Sequence, residues 1–475
     1  MKNYLTDDYS YNVSTIRREL RAPSSFDIIE RHLTVAGKDA CFFYIDGFVK
    51  DGEMLRIMQH LMSATKPVSA EETVKTLPYV EVELTNSRDS IIHNVLAGQT
   101  VFLSEPFYSS AILIDLRTYP ARPTSEPESD RVIEGARDGF VETLITNTAL
   151  IRRRIRDPRL TMEHFNMGGS SGTDVVMCYV EGVAKPETVN EIRKKLSEAR
   201  PSSVTLGYQS LAETLIRRGW LNPFPKIRTT ERPDTASAQL LEGSVIVLSD
   251  TSPLAMILPT SLFDYLEETG DFYFPPLTGS YLRAVRGLIL LLSVLITPLW
   301  YLAIEYGHIL PSQLTFLVPE SPGALPIILQ LFLVEIAIDG LKIASMNTPD
   351  ILSNSLSVVG ALILGDFAVE VGWLCADVIL YMAFVAIANF AQQNNELGYA
   401  FKFMRMLILL FVFLFKIWGL LIGLAVFCLL AATNRTVTSK PGYLYPLFPF
   451  NGKALLSLLI RRKKSDVRED DKRAG

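Results

Sequence analysis

The chain has 475 residues, enough for two or three domains. Its 46 Lys and Arg stand against 51 Asp and Glu, a net charge of −5, which argues against a general nucleic-acid binder. Residues 287–460 hold only 16 of those charged side chains, an imbalance that excludes a single water-soluble fold and points to a soluble region followed by a membrane region.

From the N-terminus, residues 1–24 are polar and charged and read as an N-terminal extension, not as a secretory signal peptide. A repeat follows. Ala40-Cys-Phe-Phe-Tyr-Ile-Asp-Gly-Phe-Val-Lys50 aligns with Val175-Val-Met-Cys-Tyr-Val-Glu-Gly-Val-Ala-Lys185 at an offset of 135. Each is an apolar strand ending in an acid and a glycine, then a helix-period segment, Glu53–Met62 or Glu187–Ala199. Leu96–Ser104 matches Leu241–Ser249 at an offset of 145, with Gly98 and Gly243 placed to end a helix that feeds a buried strand. These patterns predict two related α/β subdomains, 25–120 and 165–280, joined by a linker and connecting helix over 121–164. The linker is Pro-rich (Pro120–Pro127), and the helix-period segment runs from Ser129 to about Arg156.

A transmembrane helical domain is expected over 281–440, with apolar stretches near 287–304, 324–346, 355–390 and 403–432. The last two exceed the ~20 residues one helix needs, so the count lies between four and six crossings. Arg283 and Arg286 before the first stretch place its start in the cytoplasm, and the Arg-Arg-Lys-Lys opening of the 441–475 tail places the C-terminus there too. The fold class is therefore an α/β cytoplasmic region of two related subdomains followed by an α-helical multi-pass membrane domain.

Enzyme motifs are missing. The five histidines show no metal-ligand spacing along the chain, Gly168-Gly-Ser-Ser-Gly-Thr173 lacks the ending of a phosphate loop, and there is no nucleophile elbow. No catalytic residue, cofactor or metal is expected. Cys41, Cys178, Cys375 and Cys428 are scattered without disulfide-like spacing and read as buried inert thiols. The basic run Arg152–Arg156 reads either as a solvated helix face paired with acids or as a contact for anionic lipid or an acidic partner.

Charges inside the apolar stretches carry more information, because an ion in hydrocarbon costs at least ~2.5 kcal/mol. Glu335, Asp339 and Lys342 share one helix face; Asp339 and Lys342 are expected to pair, leaving Glu335 for another partner or water. Ser355, Val359, Leu362, Asp366 and Glu370 form a second stripe, either lining a narrow cation pathway or gluing helices together. Lys416, isolated in an apolar run, is expected to snorkel or to pair with one of these acids.

Glu134-Gly-Ala-Arg-Asp-Gly-Phe-Val-Glu-Thr-Leu-Ile-Thr-Asn-Thr-Ala-Leu-Ile-Arg-Arg-Arg-Ile155 resembles the central signature of the GerA family, the A subunits of spore germinant receptors. Thr230-Glu-Arg-Pro-Asp234, Leu241–Asp250, Val369-Glu-Val-Gly372 and Asn395-Glu-Leu-Gly398 resemble that family in order and spacing, and coverage runs from about Asp27 to Phe450. Tyr44–Asp51, Thr173–Tyr179 and the short tail are similar to one branch within it. The resemblance implies a germination protein of the forespore inner membrane without enzymatic activity. It also implies homo-oligomers around a central pore that releases monovalent cations, with a small membrane partner protein, germinant receptors and inner-membrane lipids as partners. The leading expectation is an oligomeric cation channel or channel-like component. The alternative is a non-conducting scaffold that organises receptors and a membrane partner. A secondary transporter would need inverted repeats in the membrane half, where none is visible.

Overall fold

A computed structural model describes residues 3–120, 135–199, 201, 203–216, 219, 221–346, 368–392, 394–438 and 442–460. The first unit contains α1 (Tyr9–Leu20), β1 (Ile28–Val35), β2 (Lys38–Ile45), α2 (Asp51–Met62), α3 (Ala70–Thr76), β3 (Val82–Thr85), α4 (Arg88–Leu96), β4 (Thr100–Ser104) and β5 (Ala111–Ile114). The second contains α5 (Leu144–Arg154), β6 (Leu160–Met167), β7 (Thr173–Val180), α6 (Pro186–Glu198), α7 (Tyr208–Leu215), β8 (Arg228–Thr230), α8 (Pro233–Leu241), β9 (Val245–Ser249) and β10 (Ala255–Leu258). Element order is the same in both, and so is strand order: β1-β2-β4-β5-β3 in one sheet and β6-β7-β9-β10-β8 in the other, every pairing antiparallel.

The pleat explains how each sheet is covered. Successive side chains of β2 point to opposite faces. Cys41, Phe43 and Ile45 pack with residues of α1 and α4, whereas Ala40 and Phe42 pack with residues of α2 and α3. In β7, Val176 and Cys178 face α5 and α8, while Val175 and Met177 face α6 and α7. Both units are thus helix–sheet–helix sandwiches, and central strands buried on both sides read as continuous apolar runs. The predicted glycine turns are present: Gly98 and Gly243 adopt φ of +99° and +98°, where a side chain is strained, and a Cβ would meet Phe48 at 2.9 Å or the Val183 carbonyl at 3.0 Å.

The repeat extends to a polar clasp. The Asn12 carboxamide accepts from the Thr6 amide at 2.9 Å and donates to the Thr6 carbonyl at 2.6 Å. Asn147 makes the same two bonds to Val141, at 2.8 and 2.6 Å. α1 lies in the stretch read as an extension, yet its Ile16 and Leu20 are fully buried in the first core. The helix expected from Ser129 to about Arg156 occupies only Leu144–Arg154 among the described residues, and it begins the second unit as α1 begins the first.

Beyond the units come α9 (Pro276–Glu305), α10 (Ile327–Met346), a helical turn Ala368–Glu370, α11 (Ala376–Phe390), α12 (Asn395–Phe415), α13 (Ile417–Ala432) and α14 (Gly452–Leu459). Two of them, α9 and α12, are long and apolar enough to cross a membrane. The long apolar stretch 403–432 is divided at Lys416, whose φ of +52° reverses the chain so that α13 packs back on α12. Gly419 permits the close approach, since a Cβ there would collide with the Phe411 carbonyl oxygen.

Contacts at the helix ends give their directions. Glu305, ending α9, meets Lys416 at 3.3 Å, at the turn between α12 and α13. α12 starts beside the second unit, where Phe224 packs on Phe401, and just past α13 Asn434 donates to the Pro225 carbonyl. α9 and α12 therefore run away from the α/β units and α13 runs back. α10 also runs back, because Lys342 near its end reaches Asn395, and α11 starts with α10, where the Cys375 amide donates to Gln330 at 2.8 Å.

Candidate functional site

Four charged side chains meet between α10 and α12. Glu335 and Asp339 lie one turn apart on α10, and Lys402 and Arg405 lie three apart on α12, so each pair shares a face. One terminal nitrogen of Arg405 donates to both oxygens of Glu335 at 2.7 Å, and another donates to the Ser293 carbonyl of α9 at 2.9 Å. Lys402 lies 3.3 Å from Glu335 and donates to Asp339. Glu335, Lys402 and Arg405 are buried. The cluster holds two acids and two bases, so its net charge is zero. Ion pairing and backbone hydrogen bonding compensate desolvation, which a lone charge at this depth would not survive.

Of the charges singled out in the sequence, Glu335 and Asp339 enter this cluster, but the expected Asp339–Lys342 pair does not form. Lys342 instead donates to Asn395 at 3.3 Å and lies over the Tyr399 ring at 4.9 Å. Lys416 pairs with Glu305 rather than with any of the acids named for it. Ser355, Val359, Leu362 and Asp366 lie outside the described residues. Glu370 is exposed in the turn Ala368–Glu370 and has no ion-pair partner among the described residues. Sequence reasoning passes over Lys402 and Arg405, although two bases three apart at the head of an apolar run carried the signal.

Arg283 and Arg286, at the start of α9, are tied to acids of the preceding 3-10 turns. Arg283 meets Glu267 at 2.7 Å, and Arg286 meets Glu268 at 2.6 Å and Asp271 at 3.0 Å. Burial raises the Glu267 carboxyl above its ordinary range, with Arg283 and Arg228 opposing.

The basic run at 152–156 serves neither of its two expected roles in full. Arg152 is completely buried and joins the two α/β units: it donates to both Asp27 oxygens, at 2.7 and 3.1 Å, and to the Leu160 carbonyl at 3.0 Å. One Arg154 nitrogen donates to both Asp138 oxygens at 2.6 Å, and Arg153 lies over the Tyr119 ring at 4.7 Å. Gly168–Gly172 forms the hairpin turn between β6 and β7, and Thr173 opens β7 opposite Met167.

The second unit docks on the apolar helices through residues 222–226. Phe224 is buried among Phe401, Phe427 and Tyr443, Asn222 donates to the Leu430 carbonyl at 2.6 Å, and Lys226 donates to Asn434 at 2.8 Å.

This architecture defines a class of protein: a duplicated α/β region packed on apolar helices that conceal a neutralised charge cluster. A profile of the Bacillus/Clostridium GerA spore germination protein family matches residues 14–472. The chain belongs to the GerA family of spore germination proteins. It is 36% identical to stage V sporulation protein AF of Bacillus subtilis over 93% of this chain and 90% of that protein. It is 25% identical to spore germination protein KA of the same organism, over 98% of this chain and 88% of that one. Among solved structures, the N-terminal domain of the A subunit of the Bacillus megaterium germinant receptor GerK3 aligns with a TM-score of 0.39 and 23% identity, covering 54% of this chain and 95% of that one.

Proposed function

We propose that the chain assembles as a homo-oligomer in the spore inner membrane and supplies a pathway for monovalent cations released during germination. The observation that carries this reading is the charge balance of the apolar helices. Glu335 and Asp339 are matched by Lys402 and Arg405, so these two acids are structural. Glu370, in contrast, is exposed in the turn Ala368–Glu370 without an ion-pair partner among the described residues, and is open to water, a cation or another subunit. Asp366 lies one turn from it in sequence, and Ser355, Val359 and Leu362 complete the stripe. A ring of these acids favours cations, and Val359 and Leu362 form a constriction that closes by dewetting.

Helix direction supports the same placement. α10 ends on the side of the α/β units and α11 begins on the other, which fits the upper end of the four to six crossings expected from the sequence. Membership in a family of receptor A subunits supports germinant receptors and a small membrane protein as partners.

Cation flux and oligomer size, measured on the same variants in liposomes and detergent, test the proposal. Leu362→Ala is expected to leak, and Asp366→Asn to lose cation preference while staying assembled. A Leu362→Ala protein that dissociates without leaking would leave the scaffold reading in its place.

A further inference from the structure

Away from the helices, one group of side chains has the composition of a metal site. His32 on β1 stands directly opposite Cys41 on β2, and Glu30, two residues before His32, projects from the same face. Their ligand atoms all lie within 4.8 Å of one another: His32 Nε2 is 2.7 Å from a Glu30 oxygen, and Cys41 Sγ is 4.0 Å from that same oxygen. Cys41 is fully buried, so its thiol faces the group from the core side while His32 and Glu30 open it to solvent.

Two further observations bear on what this group holds. The Tyr9 hydroxyl is buried and has no hydrogen-bond partner among the described residues. Tyr9 packs against the core cluster that holds Cys41, and burial raises its pKa, with Cys41, Asp39 and Glu30 adding to the shift. Among the described residues the Cys41 thiol has long contacts, 3.6 Å to the Phe42 carbonyl and 4.0 Å to Glu30. The group also already attracts a cation: Arg17 of α1 donates to the two Glu30 oxygens at 2.7 and 2.5 Å and lies 3.4 Å from His32 Nε2. The Arg17 side chain is 42% exposed, so it can swing into solvent without leaving a buried charge.

The geometry points to a zinc-type divalent metal site made of Glu30, His32 and Cys41, with water in a fourth position, a site for which Arg17 competes. Thiolate, imidazole and carboxylate are the donors of borderline transition metals, and three protein donors with one open position is a recurrent zinc arrangement. Reading ligand spacing along the chain misses this group because strand pairing, not sequence proximity, brings Cys41 to His32.

Cobalt(II) titrated into the tag-free, chelator-stripped full chain in detergent tests the inference, since a cobalt–thiolate bond absorbs in the near ultraviolet. The expected result is a saturable one-to-one band that Cys41→Ser abolishes, that His32→Ala weakens, and that excess zinc displaces. Arg17→Gln is expected to bind more tightly than the native chain, an opposite sign that loss of folding cannot mimic. A native protein without the band, or a band that survives Cys41→Ser, overturns the proposal.

Discussion

Arg405 of α12 and Glu335 of α10 form a buried ion pair, with one guanidinium nitrogen 2.7 Å from each carboxylate oxygen. Removing one partner leaves the four-residue cluster with an uncompensated charge. Arg405→Ala and Glu335→Ala are each expected to cost about 3–5 kcal/mol, whereas the double replacement Glu335→Leu with Arg405→Met recovers most of that. Thermal unfolding in detergent, followed with size-exclusion homogeneity, checks this; equal damage from single and double variants would contradict it.

Asp27 and Arg152 make the equivalent buried contact between the two α/β units, with side chains 2% and 0% exposed. Asp27→Asn keeps the shape but leaves the guanidinium without its counter-charge, and a loss of about 3–5 kcal/mol is expected. Because the pair joins the units, hydrogen exchange should rise first at β1 and β6, where Phe26 donates to the Met162 carbonyl. Protection unchanged at that joint would show that the contact is dispensable.

Phe224 fills the aromatic pocket through which the second unit sits on α12 and α13. Phe224→Ala is expected to cost about 3–5 kcal/mol at this joint, by lost burial and a cavity. The first unit shares none of those contacts, so its exchange protection should persist while residues 222–226 and 434–437 become labile. A uniform loss across both units would mean that they unfold together.

Glu163 gives a pH dependence of definite sign. Burial raises its carboxyl, but hydrogen bonds from Arg193 and Tyr179 outweigh that and hold it below its ordinary 4.5. The folded form therefore binds the proton less readily than the unfolded chain. The stabilisation is fully present above pH 4.5 and is lost as pH falls through the lowered folded value. Glu163→Gln should flatten this part of the stability–pH curve; an unchanged slope below pH 4.5 would assign the acid sensitivity to other carboxylates.

The sequence by itself determined the duplication, because each strand–acid–glycine–helix pattern is a local signal. Apolar runs, turn glycines and helix periodicity depend on neighbours within a few positions, and all recur at offsets of 135 and 145. It likewise determined which stretches are apolar enough to join the helical layer. The structure alone decided which charges meet. Asp339 pairs with Lys402, 63 positions away, rather than with Lys342 on its own helix, because α12 packs closely enough to deliver an ammonium from the side. Arg152 in a basic run is fully buried because Asp27, 125 positions earlier, is carried to it by the packing of the two units. Lys416 meets Glu305 only because the chain reverses between α12 and α13. Electrostatic partners follow distance through space, and a single sequence records distance only along the chain.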